Sequence, residues 1–225
     1  MNSFRDGIDG IKNTNLPTFR EKYDFMMQGV DADIRRVVNF TSEEFITIKK
    51  IRDSAAHGRP IKTRDGRDVS YEFRVKDKLL VLLMYLVYRD FGITPVEFAL
   101  SLKSTLCKFV QNADIDKVER DKLVGSVPFW KVDEESFKEA KASKNMYVGI
   151  KHLKSNNTYK FSKSITHECQ GWFAQREPKN KNLIDHVKER MFDSNGIAIE
   201  FISQAYLVNG SETIELSGVC KVSYE

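Results

Sequence analysis

The sequence predicts an α+β chain: a helical bundle carrying a β-hairpin insertion, followed by a small mixed α+β domain. Three observations carry that expectation. The first half holds three capping boxes, beginning at Thr18, Thr41 and Thr94, each with Glu three residues on. After about residue 145 the texture turns to short runs flanking turn residues, at Ser155-Asn156-Asn157 and Asn209-Gly210. The longest apolar run, Leu79 to Tyr88, is ten residues fenced by Lys78 and Arg89. A membrane span needs about twenty, so this run predicts a buried helix.

The elements follow in order. Phe19, Tyr23 and Met26 lie at helical spacing after Thr18, and Gly29 ends that helix. A short helix is expected over Asp31 to Val38. Phe40 and Phe45 flank Thr41-Ser42-Glu43-Glu44 as a hydrophobic staple. Phe45, Ile48, Ile51 and Ala55 form a stripe at spacings of 3, 3 and 4 along the helix that begins there. It should end near His57, because Gly58 can take a left-handed cap and Pro60 cannot continue. Ile61 to Val75 contains Asp65-Gly66 and alternates through Val69, Tyr71, Phe73 and Val75, which predicts a hairpin. Asp77 to Phe91 is apolar on all sides and reads as the central helix. From Thr94 a helix is expected to about Val110, with Phe98, Leu102, Leu106 and Phe109 inward. Asp114–Leu123 and Asp133–Lys144 are shorter helix candidates. Met146–Leu153 with Thr158–Phe161, and Ile197–Val208 with Thr213–Tyr224, predict two hairpins, with an amphipathic helix over Leu183–Phe192 between them. Domains are expected at 1–112 and 113–225.

Of 225 residues, 41% are apolar and 30% charged, which excludes collagen-like and disordered classes. The net charge of +4 says little until it is divided. Residues 1–110 carry 19 basic and 15 acidic side chains, whereas residues 111–225 carry 17 of each. Met1 to Lys12 lacks the apolar core of a secretory signal, and Cys107, Cys169 and Cys220 are odd in number and scattered. The expectation is a cytoplasmic protein with reduced thiols and no membrane segment. No CxxC or HxxxH spacing supports a metal, and no Gly-rich loop cradles phosphate, so no cofactor is expected. Asp90-Phe91-Gly92 imitates a kinase motif without its partners.

The chemistry concentrates at Arg52-Asp53-Ser54-Ala55-Ala56-His57. Among the four histidines only His57 has an arginine four to six residues upstream. The pair closes a well-signalled helix, a polar Asp follows the Arg, and a basic segment follows the His. Ile51 to Gly58 resembles the Arg-polar-x-x-x-His signature of HEPN-domain proteins. Leu79 to Ile93 is similar to the long apolar last helix of the ApeA-type group, with its Gly-Ile step. The resemblance covers roughly residues 15–110. It implies a helical bundle that dimerises, and a metal-independent RNA endonuclease of toxin, anti-phage or RNA-processing systems. Two features depart from the pattern: Asp53 stands where Asn is commoner, and Ile61–Val75 looks like an insertion.

The residues suit that reaction on their own terms. RNA carries its nucleophile, the 2′-OH. An enzyme must take that proton, protonate the leaving 5′-oxygen and stabilise charge on the phosphorus oxygens. Histidine can move the protons near neutrality, and arginine offers a permanent bidentate fork. Five residues along a helix leave a net angular offset of about 140°, so Arg52 and His57 do not share a face strictly. A two-fold dimer would bring two pairs into one cleft. Asp53 could orient either partner. Arg59, Lys62, Arg64, Arg67 and Arg74, with Tyr71 and Phe73 interleaved, could track single-stranded RNA, or form an ordinary solvated surface. The competing reading is a non-catalytic module: the helical domain dimerises or holds RNA, and residues 113–225 contact a protein partner.

Overall fold

Helices α1 (Phe19–Gln28), α2 (Ala32–Val38) and α3 (Ser42–Ala56) come first among the described residues. A computed structural model describes residues 17–59, 70–143, 146–175, 182–192 and 197–224. Thr18 and Thr41 each accept the N–H of the glutamate three residues on, and that glutamate accepts the cap's own N–H. Two otherwise orphaned donors are thereby satisfied at each start. The first unit continues through α4 (Ser70–Asp90), α5 (Pro95–Ser104), α6 (Lys108–Asn112) and α7 (Lys117–Val124).

The chain divides into two compact units between Leu123 and Val124. The reason is local. Ala113 and Ile115 are buried with the Val110 cluster of the helical unit, and Asp116 donates its N–H to Val37 O at 2.7 Å. The helical core joins Ile34, Val37 and Val38 of α2 to Val81, Leu82 and Tyr85 of α4 and Phe98 and Leu102 of α5.

Three expectations in this unit need correction. Residues Ser70–Val75 are helix, not the second strand of a hairpin, and the rest of the expected insertion lies outside the described residues. Val75, Lys78, Val81, Leu82 and Tyr85 are buried at helical spacing, and this tertiary stripe overrides the local alternation. Second, α4 is not buried all round. Leu80, Leu83 and Val87 lie 39%, 42% and 53% exposed along its outer side. Third, the helix from Thr94 breaks at Thr105–Cys107, leaving Leu106 88% exposed. Ser101 and Ser104 hydroxyls bond back to the Phe98 and Leu100 carbonyls, and Thr105 Oγ1 accepts the Cys107 N–H at 3.2 Å. Such local bonds compete with the helical ladder.

The second unit is a five-stranded mixed sheet in the order β1-β4-β5-β2-β3. Its strands are β1 (Phe129–Lys131), β2 (Met146–Leu153), β3 (Thr158–Phe161), β4 (Ala198–Asn209) and β5 (Glu212–Tyr224). The β4–β5 hairpin is antiparallel from Ala198↔Ser223 to Asn209↔Glu212. Strand β2 joins β5 in parallel, and β1 joins β4 in parallel. Helix α8 (Glu134–Ala142) puts Phe137 and Ala140 on Val148, Ile150, Leu207 and Leu216. Helices α9 (Lys163–Ala174) and α10 (Leu183–Met191) cover Cys220 and Val222 in a separate cluster. Along β5, Leu216 and Val219 join the first cluster, whereas Cys220 and Val222 join the second. Gly218, at φ +73°, lies where this alternation changes phase.

Candidate functional site

The C-terminal end of α3 is built in two steps. Its first turn is anchored by Lys78 of α4, whose buried Nζ reaches Glu44 Oε1 at 2.9 Å, Oε2 at 3.1 Å and Asn39 O at 3.0 Å. Its last turn is closed by a left-handed cap. Gly58, at φ +60°, donates to Ala55 O at 3.2 Å, and Arg59 N–H reaches Ser54 O at 2.8 Å. This is the double bond pattern that a glycine after the C-cap permits. His57 is the C-cap itself, with its backbone N–H on Asp53 O at 3.2 Å and its side chain exposed.

Arg52 lies just inside this end. Its Nη1 donates to Asp53 Oδ1 at 3.0 Å, and its guanidinium sits 5.2 Å from the Phe19 ring centroid. Phe19 is stacked on Phe45 at 5.5 Å, and Tyr23 contacts Phe45 at 4.8 Å. Burial in this raft pushes the Tyr23 phenol up to about 12. The aromatic cluster therefore ties α1 to α3 and places a ring face beneath an exposed guanidinium. Phe19 was not singled out by the motif. Its signal was present, since the first residue after the Thr18 cap falls on the same stripe as Tyr23.

Asp53 pairs with Arg52, so those two of the three expected catalytic residues meet. Among the described residues, no hydrogen bond or ion pair joins the His57 ring to either of them. Arg59 is exposed beside the cap and Arg74 is exposed on α4. Lys62, Arg64 and Arg67 lie outside the described residues. Phe73 is exposed, with Lys76 Nζ 5.1 Å from its ring, and Tyr71 is half-buried.

The outer side of α4 is apolar. Phe73, Leu80 and Val87 recur every seven residues, with Leu83 between, which is the spacing of a helix-packing seam. Near its end, Leu86 and Val87 line a groove of 640 Å³ with Phe25 and Met26 of α1.

In the second unit, His152 Nδ1 lies 3.2 Å from Ser223 Oγ and Nε2 lies 3.0 Å from Asn157 Oδ1. This Ser–His–Asn order has the geometry of a nucleophile relay. Ser223 is only 4% exposed, however, and Tyr159 stacks on the imidazole at 4.4 Å, so the constellation pins the β2–β3 hairpin. Glu168 of α9 lies 3.3 Å from His186 Nε2 and 3.5 Å from Arg190 Nε. Among the described residues no three His, Cys, Asp or Glu side chains gather in a metal-binding group. Nor, among them, is any helix long and apolar enough to cross a membrane. Comparison with known protein families, curated proteins and solved structures finds no match.

Proposed function

We propose that the helical unit is an HEPN-type endoribonuclease that cleaves single-stranded RNA without a metal and works as a homodimer in a toxin or anti-phage setting. The observation that carries this reading is the α3 terminus. There an exposed histidine caps the helix, and an exposed arginine is held one turn earlier on an aromatic platform. His57 takes the 2′-OH proton or delivers one to the departing 5′-oxygen. Arg52 binds the scissile phosphate through its fork and stabilises the charge that develops on its oxygens. Asp53 holds the guanidinium until phosphate competes for it. The products carry 2′,3′-cyclic phosphate and 5′-hydroxyl ends. The His57 ring and the Arg52 guanidinium of one protomer need not touch if a second copy completes the cleft, and the outer seam of α4 is an apolar face suited to such pairing.

The experiment is RNA cleavage by the wild type and His57→Ala, side by side in excess chelator. Cleavage by the wild type and a loss of at least about 100-fold in the variant are expected. A Mg²⁺ requirement, or normal cleavage by His57→Ala, overturns the proposal. One observation favours a second reading: Arg52 is already engaged by Asp53 at 3.0 Å. In that reading the module dimerises or binds RNA without cutting it. Salt-dependent RNA binding with no cleavage under any condition would identify it.

A further inference from the structure

Cys169 and Cys220 stand 51 positions apart in sequence, yet meet in the core of the second unit. Each is 1% exposed, and both belong to the cluster of Ile165, Leu183, Val187 and Val222. The two thiols lie close enough to perturb each other's ionisation. The approach of α9 that brings them together is tightly specified. Gly149 of β2 is the register partner of Cys220. A Cβ there would collide with Ile165 and stand 2.7 Å from Thr166 N. Thr166 Oγ1 accepts the Gly149 N–H at 2.9 Å. Helix α9 is thus seated on the sheet at Gly149, and Cys169, one turn beyond Ile165, comes over Cys220.

We propose that Cys169 and Cys220 are a redox-responsive dithiol, which closes to an intramolecular disulfide and latches α9 onto β5. The oxidant class is a low-molecular-weight disulfide such as oxidised glutathione. The Cys220 thiolate attacks one sulfur of that disulfide, whose S–S bond breaks and releases one thiolate that takes up a proton. Cys169 then loses its proton, attacks the mixed-disulfide sulfur on Cys220 and expels the second small thiol. Two protein thiols are oxidised and one small disulfide is reduced to two thiols. The order agrees with the mutual perturbation of the two thiols, which favours the Cys220 thiolate and, with burial, pushes the Cys169 thiol up. Burial makes access the slow step, so the reaction waits on α9 and α10 lifting from the sheet. The Glu168 contacts to His186 and Arg190 join those two helices. The inference is independent of the RNA reading.

The test uses the full chain carrying Cys107→Ser, which removes an exposed thiol. The protein is incubated with oxidised glutathione, denatured in alkylating reagent and weighed intact. A product two hydrogens lighter is expected, with neither cysteine alkylated and no glutathione attached. Its thermal midpoint should rise by several degrees, and dithiothreitol should reverse both changes. In the same background, Cys169→Ser should accumulate glutathione on Cys220, whereas Cys220→Ser should accumulate far less on Cys169. Alkylation of both thiols after prolonged oxidation overturns the proposal. So does glutathione remaining on Cys220 of the parent, or a disulfide that leaves the thermal midpoint unchanged.

Discussion

The Glu44–Lys78 pair joins the helix that carries Arg52 and His57 to α4, and its removal can be worked through quantitatively. Both side chains are buried, and the ammonium touches both carboxylate oxygens. At 2.9 Å the gross attraction is about 5–6 kcal/mol for an effective dielectric of about 20. Desolvation of two ions offsets most of it, so the pair contributes little net. Breaking it is different. Lys78→Met leaves a buried carboxylate that still accepts the Thr41 N–H at 2.7 Å but faces no cation among the described residues. Glu44→Gln leaves a buried ammonium on the Asn39 carbonyl. Each single change should cost about 3–5 kcal/mol, and the double change only about 1–2, because no buried charge remains. The assay is urea unfolding followed by helical circular dichroism, with RNA cleavage measured on the same samples. Both tryptophans, Trp130 and Trp172, lie in the second unit, so their emission follows that unit separately. Single variants that lose less than about 1 kcal/mol, or a double variant that loses the sum, would refute the reasoning.

Other outcomes follow from the same geometry. Phe19→Leu keeps an apolar contact for Phe45 but removes the ring under Arg52, and should lower RNA affinity or cleavage several-fold with stability changed by about 1 kcal/mol or less. Gly58→Ala has space for its methyl but sits at φ +60°, so it should cost about 1 kcal/mol in urea titrations and weaken the His57 cap. Asp133 caps α8 by accepting the Ser136 N–H at 2.8 Å, and that bond holds its carboxyl below the ordinary value of 3.8. A depressed carboxylate stabilises the fold above its unfolded pKa and loses that contribution as pH falls through its folded value. Asp133→Ala should therefore cost about 1 kcal/mol at neutrality, and its difference from wild type should vanish in acid below 3.8. Gly149→Ala should destabilise the second unit by about 1–3 kcal/mol or more, shifting the tryptophan transition, because the methyl meets α9.

The legible parts of the fold were those governed by local chemistry. The three capping boxes form where the Thr-x-x-Glu spacing places them. Asn209-Gly210 turns the β4–β5 hairpin, and Gly58 ends α3. What escaped depends on partners distant in sequence. Helix α9 carries no start signal as clear as those boxes, since Ser162 makes no side-chain cap bond. Its position is set by Gly149 and Thr166 across the sheet. Strand β1 is three residues long and exists only because β4 accepts it in parallel. The alternation at Tyr71, Phe73 and Val75 pointed to strand because period two competes with a helical stripe whose anchors, Val81, Leu82 and Tyr85, lie farther along the chain.

The candidate site divides along the same line. Residues on one helix turn are readable from spacing, so Arg52, Asp53 and His57 could be named together. The support under Arg52 comes from α1, whose Phe19 reaches it only because Phe45 and Tyr23 pack between the helices. That support has a chemical consequence. An exposed arginine on a single helix loses rotamer freedom when it binds phosphate, whereas one already held between Asp53 and a ring has less to lose. If phosphate replaces the Asp53 contact while the ring contact persists, Asp53→Asn should keep the orientation but relax the ionic competition. RNA binding by Asp53→Asn should then tighten while its dependence on Phe19 remains. If Asp53 were instead the group that aligns His57, the same substitution would leave binding unchanged and lower the cleavage rate. Measuring affinity and single-turnover rate on this one variant therefore separates a restraint on the arginine from a role in proton transfer.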